Sequence, residues 1–207
     1  MSRETILGRI RAATTANAKP ALPVFAAPES LTSSGVTAES RFRSAAIAKG
    51  VIVVDVPERA KLPEVVARAL APPAGRRRAL RINDPALASL PWQSAGIDAL
   101  AGAAGADDDA ALSRAMAAVA ETGTIVLASE PANPTTLAFL PVTHLVTIER
   151  ESILGTFEDA LVLLRKVYGR TLPRSVNFVS GASRTGDIGG RIVHGAQGPG
   201  RLVVFLL

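Results

Sequence analysis

Short apolar runs, rich in β-branched residues, recur along this chain and alternate with stretches that have helical spacing. Compact runs of this kind, bounded by turn residues, are typical of strands that are buried on both faces, as in parallel sheets. We predict strands at residues 51–55, 79–83, 124–128, 144–148, 176–179 and 202–206. We predict helices at residues 38–49, 62–70 and 157–167, and a short helix after Asp84 and Pro85. The alternation indicates an α/β fold with a mostly parallel sheet and helices on both faces.

The first 37 residues differ in pattern from the rest of the chain. Ile6, Leu7 and Ile10 have helical spacing, which predicts an amphipathic helix over residues 2–16. Residues 17–37 mix prolines with glycine, serine and threonine, which is typical of an irregular connector. We therefore expect an N-terminal helix and connector at 1–37, followed by one α/β domain at 38–207, a length that one hydrophobic core can fill.

Three aspartates at residues 107–109 precede an alanine-rich stretch. Alanine is the strongest helix former, and acidic side chains favour the first turn of a helix, so we predict a helix over residues 110–117. A metal site built from the same aspartates is the alternative, and we prefer the helix start.

The absence of cysteine excludes several kinds of chemistry from this chain. Without a thiol, the chain can form no disulfide, thiol nucleophile or thiolate-held iron–sulfur cluster. The two histidines do not form a His-x-His or His-Glu-x-x-His arrangement, so we expect no metal site. We accordingly expect no cofactor in this chain.

The formal charge of +5 raises the alternative of a polyanion-binding protein. Arg76, Arg77, Arg78 and Arg81 form a dense basic cluster, but few aromatic residues are present to stack on bases. We therefore expect a solvated loop here and no nucleic-acid partner. The amino-terminal residues lack a signal-peptide pattern and prolines interrupt the weakly charged stretch at 131–148, so we expect a cytoplasmic protein without a membrane span.

The turn at residues 121–124 has the sequence Glu-Thr-Gly-Thr and precedes a predicted strand. Glycine permits a tight or left-handed turn, and the flanking threonines offer hydroxyls and backbone amides to a phosphate or carboxylate. Thr122, Gly123 and Thr124 are therefore candidate ligand-binding residues. A purely structural turn is the alternative interpretation.

A second polar loop directly follows the strand predicted at 176–179 and extends to residue 190. We predict that it opens a short helix, so that its backbone amides can cradle an oxyanion while Arg184 supplies a bidentate contact. The candidate ligand-binding residues of this loop are Ser180, Gly181, Ser183, Arg184, Thr185 and Asp187. Alternatively, Asp187 only caps the turn or pairs with Arg184 to fix it.

Parallel sheets bind ligands at the carboxyl ends of their strands. We therefore predict that residues 121–124 and 180–187 lie side by side at that edge of the sheet. In this shared site, Arg184 would provide the main positive charge for an anionic ligand.

The order and spacing of these motifs resemble those of the lactate utilization protein C family, which carries the LUD domain. The resemblance covers about residues 45–207 and rests on four segments. These are Glu-Thr-Gly-Thr at 121–124, Leu-Pro-Val-Thr-His-Leu-Val at 140–146, Ser-Gly-Ala-Ser-Arg-Thr-Gly-Asp-Ile at 180–188 and Gly-Ala-Gln-Gly-Pro at 195–199. The resemblance implies a NagB/RpiA/CoA-transferase-like α/β fold, a LUD-type domain over residues 38–207, and Gly198 as a further ligand-binding residue. It also implies a role in oxidising L-lactate to pyruvate, with two iron–sulfur partner proteins that carry the clusters this cysteine-free chain cannot hold.

The sequence departs from the family pattern at several positions. Ala182, Gly186 and Gly189 replace other residues of the second loop, and Gln197 stands where a histidine often precedes the late Gly-Pro. The loss of that imidazole weakens a proton-transfer role there, and His194 is not an obvious substitute, because its odd offset on a strand would direct it to the other face. His144 is a candidate for a ligand or acid–base group, and a packed strand histidine is the alternative.

These observations favour an accessory or ligand-binding subunit of an L-lactate oxidation system. The competing hypothesis is a stand-alone enzyme on a CoA ester, sugar phosphate or folate-like anion, which rests on analogy of fold alone. In that case Glu121 would be the natural nucleophile or base.

Overall fold

The computed structural model describes residues 2–15, 37–70, 78–105 and 108–207. The helices are α1 (Arg3–Thr15), α2 (Ala38–Ala48), α3 (Leu62–Ala69), α4 (Pro85–Ala88), α5 (Thr136–Phe139) and α6 (Phe157–Tyr168). The helices predicted at 2–16, 38–49, 62–70 and 157–167 are each confirmed to within a residue, as is the short helix after Asp84. The predicted connector up to residue 36, Arg76, Arg77 and Asp107 lie outside the described residues, and the division of the chain at residue 37 stays a prediction.

Local capping explains where two of these helices begin. The Thr37 hydroxyl accepts a hydrogen bond from the Ser40 amide at the start of α2, at 3.2 Å. At the start of α6, Thr156 and Asp159 form a capping box in which each side chain accepts from the backbone of the other. Both arrangements satisfy amides that the first turn of a helix leaves without partners.

The strands of the described residues form two larger sheets and one two-stranded hairpin. In chain order they are β1 (Ile52–Asp55), β2 (Arg78–Ile82), β3 (Ile97–Leu100), β4 (Ala110–Arg114), β5 (Ala117–Val119), β6 (Thr124–Ala128), β7 (Thr143–Ile148), β8 (Ile153–Leu154), β9 (Val176–Val179), β10 (Arg184–Ile188), β11 (Arg191–His194) and β12 (Arg201–Leu206). The six strands β1, β12, β7, β4, β2 and β3 form the central sheet in that order, and every neighbouring pair is parallel. The predicted parallel α/β fold is therefore confirmed.

A second sheet, which the sequence pattern does not predict, packs beside the first. It has the order β8, β5, β6, β9, and β6 is antiparallel to both of its neighbours. The apolar runs at 124–128 and 176–179 belong to this sheet and not to the parallel one. Consecutive strands joined by a tight turn, such as β5 and β6, can pair only as antiparallel neighbours.

Both faces of the central sheet are buried, as the continuous apolar runs require. On one face, Leu62 and Val66 of α3 pack with strand residues such as Phe205. On the other, Phe42 of α2 packs with Val204 of the central sheet and with members of the second sheet. Helix α6 covers the outer face of the second sheet. Helices on both faces of the parallel sheet are therefore confirmed, with the second sheet as an additional layer.

The helix predicted over residues 110–117 is wrong, because this segment forms β4, a short corner and the start of β5. β4 lies between β2 and β7, and Ala110 to Ser113 are all nearly inaccessible to solvent. Burial in the middle of a sheet thus outweighs the helix propensity of alanine, which amounts to a few tenths of a kcal/mol per residue. Asp108 does not start a helix: its carboxylate accepts from Nε and Nη2 of Arg81 at 3.1 and 2.9 Å. This ion pair lowers the pKa of Asp108.

The helix predicted within the second polar loop is also wrong, because β10 and β11 form an antiparallel hairpin. Gly189 and Gly190, the two residues of its turn, have φ angles of +61° and +68°. Two successive residues with positive φ favour the tight turn of a β-hairpin, for which glycine is well suited. In the part of the chain that the structure describes, no helix is long and apolar enough to cross a membrane.

Candidate functional site

A half-open pocket of about 120 Å³ lies at the amino ends of β7 and β12. His144 is the second residue of β7 and Leu202 the second residue of β12, and both belong to its wall. The rest of the wall comes from α5, the end of β9 and two loops, and consists of Ala138, Phe139, Val179, Gly181, Ala182, Ser183, Gln197, Gly198 and Pro199. The structure thus brings four of the sequence candidates, Gly181, Ser183, Gly198 and His144, into one pocket.

Backbone hydrogen bonds hold the two loops of this pocket together. The Ser183 amide donates to Pro199 O at 2.8 Å, and the Gly195 amide donates to Ser183 O at 3.0 Å. Gly198 has a φ of +156°, and a Cβ atom there would lie 3.6 Å from Ser183 Cβ and 4.0 Å from Phe139 Cδ1. A side chain at position 198 would therefore enter the space between Ser183 and Phe139, which glycine leaves open.

His144 belongs to the wall of the pocket but is almost completely buried, with 1% of its surface exposed. Its Nε2 atom lies 2.7 Å from the hydroxyl of Ser113, which is itself buried. Burial lowers the pKa of His144 to about 3, because the charged imidazolium would lose its hydration. The ring is therefore neutral near pH 7, where it can form hydrogen bonds but offers no positive charge to an anionic ligand.

The Thr-Gly-Thr turn is packed against α2. Gly123 is buried with a φ of +61°, and a Cβ atom at this position would lie 2.3 Å from Ala46 N and 2.6 Å from Ala45 C. This is closer than any normal contact, so only glycine allows the turn and helix α2 to approach in this way. A purely structural role of the turn, close packing on α2, therefore explains the glycine at position 123.

The threonines of the same turn belong to a chain of hydroxyl groups. Thr122 Oγ1 lies 2.8 Å from Thr124 Oγ1, which in turn lies 2.5 Å from Ser180 Oγ. Ser180 directly follows β9, and Val179 is paired with Ile125 in the second sheet. Pairing of β6 with β9 therefore brings the two candidate segments into contact, as predicted.

Lys49, at the end of α2, is a part of this region that the sequence interpretation missed. Its Nζ atom donates to Thr122 O at 2.5 Å. A Cβ atom on Gly181, whose φ is +106°, would lie 2.9 Å from Lys49 O. Helix α2 thus contacts both candidate loops, and no short-range pattern relates position 49 to positions 122 and 181.

Arg184, the first residue of β10, is exposed at the edge of this region. A Cβ atom on Gly50 would lie 2.2 Å from Arg184 Nη2, so the guanidinium group lies directly over Gly50. Among the described residues, no hydrogen bond or ion pair of the Arg184 side chain is observed. The side chain of Asp187 lies outside the described residues, so the predicted pairing with Arg184 stays a prediction. Thr185 pairs with Val193 in the hairpin.

Glu121 does not belong to the wall of the pocket. Its Oε1 atom accepts a hydrogen bond from the Phe157 amide at 3.0 Å, at the first residue of α6. A carboxylate at this place satisfies an otherwise unpaired amide and favours the positive end of the helix dipole. The structure therefore gives Glu121 a helix-capping role, and its proposed role as a nucleophile stays a prediction.

The position of the region differs from the expected carboxyl edge of the sheet. Gly50 precedes β1, and His144 and Leu202 lie near the starts of β7 and β12, so the candidate residues surround the amino ends of the parallel strands. The reason is the second sheet: β6 begins and β9 ends at this edge. His194 pairs with Arg184 in the hairpin and is not part of the pocket wall, whereas Gln197 is.

Known proteins are similar to the part of the chain that contains this pocket. The model of the LUD domain family matches residues 98–207, a range that includes the whole wall of the pocket. An uncharacterized protein of Neisseria meningitidis is 34% identical over 99 residues, which are 48% of this chain and 42% of that protein.

Two further relatives are described as lactate utilization protein C. The Bacillus pumilus protein is 34% identical and the Bacillus subtilis protein 30% identical, each over 91 residues. Each alignment covers 43% of this chain and 38% of the relative, so the chain spans about two fifths of the length of the curated relatives it matches.

A solved structure shares the fold. It is the crystal structure of a DUF162 family protein from Deinococcus radiodurans, which is 23% identical and superposes with a TM-score of 0.60. The superposition covers 82% of this chain and 95% of that protein.

Proposed function

This chain belongs to the LUD domain family, and we propose that it is a ligand-binding subunit of a cytoplasmic system that oxidises L-lactate to pyruvate. The proposal rests on relatives described as lactate utilization protein C and on the pocket at the amino ends of β7 and β12. The observation that carries it is the convergence of Ser183, Gly198 and His144 on this one pocket.

The size and chemistry of the pocket support a small carboxylate. Its volume of about 120 Å³ lies below the range of about 300 to 1,000 Å³ that is usual for larger organic ligands. Ser183 and Gln197 can donate hydrogen bonds, and Phe139 and Leu202 provide apolar contact. Arg184, which follows Ser183 directly, would supply the positive charge at the rim.

The electron-transfer part of the system would belong to partner proteins. The chain contains no cysteine, so it has no thiolate to hold an iron–sulfur cluster. We propose cysteine-rich iron–sulfur proteins as those partners. Co-purification of the tagged chain from its native host, followed by iron analysis, tests this part: iron should appear with the partners, and the chain purified alone should contain none.

The stand-alone enzyme hypothesis receives less support from the site. Its candidate nucleophile, Glu121, caps α6 and does not reach the pocket wall. A CoA ester or folate would also need a larger cavity than the one beside Ser183.

Calorimetric titration of L-lactate and pyruvate into the purified chain tests ligand binding directly. Gln197 and Ala196 are neighbouring exposed residues, but only Gln197 lines the pocket. Gln197→Trp should block the pocket and abolish binding, whereas Ala196→Trp should leave it unchanged. Equal affinity in both variants, or no binding to the unmodified chain, would contradict the proposal.

Growth on L-lactate as the carbon source tests the role in the cell. A strain that lacks the gene should fail to grow on lactate and should recover with the unmodified chain or with Ala196→Trp. Recovery of growth with Gln197→Trp would show that lactate utilization does not depend on this pocket.

A further inference from the structure

A second cavity, of about 350 Å³, lies at the opposite edge of the central sheet. Arg114 ends β4 and Glu149 directly follows β7, and both belong to its wall. Glu130 follows β6, and Val167 and Tyr168 come from the last turn of α6. The cavity thus lies at the carboxyl ends of two adjacent parallel strands, where α/β sheets most often bind ligands.

Two of the three charged groups in this wall already have partners. Arg114 Nε lies 2.9 Å from Oδ2 of Asp84, a residue that is 2% exposed, and Glu149 forms an ion pair with Arg59. Glu130 makes no ion pair within residues 2–15, 37–70, 78–105 and 108–207. Within these described ranges, the wall therefore carries one negative charge, that of Glu130, without an ion-pair partner.

Two acceptors of the wall have unused hydrogen-bonding capacity. One oxygen of Glu130 accepts from the Tyr168 hydroxyl at 2.5 Å, which leaves the other available. Asn133 donates through Nδ2 to Arg114 O at 3.1 Å, but its Oδ1 atom is buried without a partner in the described structure. A buried acceptor without a donor is unfavourable, so a ligand group that donates to Asn133 Oδ1 would remove this cost.

The hydroxyl of Tyr168 is uncharged near pH 7, so it adds no negative charge to the wall of the cavity. Burial and the hydrogen bond to Glu130 raise the pKa of Tyr168 to about 12, so the phenol remains a protonated donor near pH 7. Its donation fixes the Glu130 carboxylate at the wall of the cavity.

From this arrangement we infer a second ligand site, independent of the pocket at the amino ends of β7 and β12. It binds a small molecule with an ammonium group and a short apolar side chain. The ammonium group would lie between Glu130 and Asn133 Oδ1, because Asn133 Oδ1 lacks a donor and Glu130 places a negative charge beside it. Met116, Leu163 and Val167 form an apolar part of the wall that suits an aliphatic side chain. Both a simple amine and an aliphatic α-amino acid have this chemistry. In the amino acid, the carboxylate would approach the Arg114 N–H groups that Asp84 does not engage.

Titration with three small molecules of similar shape tests the ligand class. We expect L-leucine and isoamylamine to bind the purified full chain, and 4-methylvalerate, which lacks the ammonium group, not to bind. Binding of L-leucine alone supports the site and assigns the carboxylate to Arg114. Binding of 4-methylvalerate as tight as that of L-leucine, or no binding of either ammonium compound, would overturn the inference.

Two variants with matched controls place the ligand in the cavity. Val167 and Val162 are both exposed valines of α6, at 56% and 65%, but only Val167 lines the cavity. Val167→Trp should abolish binding of the ammonium compounds, and Val162→Trp should not. Glu130→Gln should weaken binding about tenfold to a hundredfold through loss of a charge-assisted contact, whereas Glu151→Gln, on an exposed residue outside the wall, should not.

The same variants show whether this site is independent of the pocket at the amino ends of β7 and β12. L-Lactate binding should persist in Val167→Trp. Binding at each of the two sites can therefore be measured even if the other site binds no ligand. Melting curves of the four variants check folding. Unchanged affinity for the ammonium compounds in both Val167→Trp and Glu130→Gln would overturn the assignment.

Discussion

Replacement of Gly123 by alanine should destabilise this protein strongly, although it adds a single methyl group. The φ of +61° is a left-handed conformation that costs an L-residue about 1 to 2 kcal/mol. The new Cβ atom would also lie 2.3 Å from Ala46 N, more than about 1 Å inside normal contact distance. Ala46 and Phe42 are fully buried in α2, so the helix cannot move away freely, and overpacking of this kind costs about 1 to 3 kcal/mol. The total is about 2 to 5 kcal/mol.

Thermal unfolding of Gly123→Ala should show this loss as a fall in Tm of about 5 to 20 °C for a chain of this size. Gly96 provides a matched control, because it has a φ of +71° but no atom within 4 Å of the position that a Cβ atom would take. Gly96→Ala should therefore show only the backbone cost of about 1 to 2 kcal/mol. Equal destabilisation by the two substitutions would refute the close packing of the Thr-Gly-Thr turn on α2.

Three further substitutions have distinct expected outcomes. Arg184→Ala should lower the affinity for a small carboxylate about tenfold to a hundredfold in a calorimetric titration and leave the Tm nearly unchanged, with partial recovery in Arg184→Lys; lost stability with unchanged affinity would contradict its binding role. Because burial lowers the pKa of His144 to about 3 from an ordinary value near 6.5, the unfolded chain binds a proton between these pH values that the folded chain does not, and stability should fall as the pH falls through this window. Urea unfolding should show a loss of about 2 kcal/mol between pH 6.5 and 5 that His144→Gln lacks; equal pH dependence in the two proteins would count against a buried neutral ring. Glu121→Ala should destabilise α6 by about 1 kcal/mol in a urea titration, whereas Glu121→Gln should keep an acceptor for the Phe157 amide and most of the stability; equal losses in both would argue against the cap.

The sequence predicts the parallel sheet well because its strands are buried on both faces. The runs at 144–148 and 202–206 are continuously apolar, and they form neighbouring central strands β7 and β12. The run at 110–113 also lies inside the sheet, but half of its residues are alanine, whose propensity indicates a helix. Its strand conformation comes from its place between β2 and β7, which no local pattern reveals.

The candidate site is only partly predictable for a related reason. Gly189 and Gly190 carry a local hairpin signal that could have corrected the helix predicted in the second loop. The contact between Thr124 and Ser180 was expected, but its place at the amino edge depends on a second sheet formed by distant strands. The contact between Lys49 and Thr122 joins residues 73 positions apart, and nothing in the local sequence specifies it.

Amide chemical-shift mapping during titration with L-lactate locates the bound ligand in the folded chain. We expect the largest shifts at Gly181, Ser183 and Gly198, around the pocket at the amino ends of β7 and β12. No saturable shift at these residues, or shifts concentrated instead around Arg114 and Glu130, would contradict the proposed binding at this pocket.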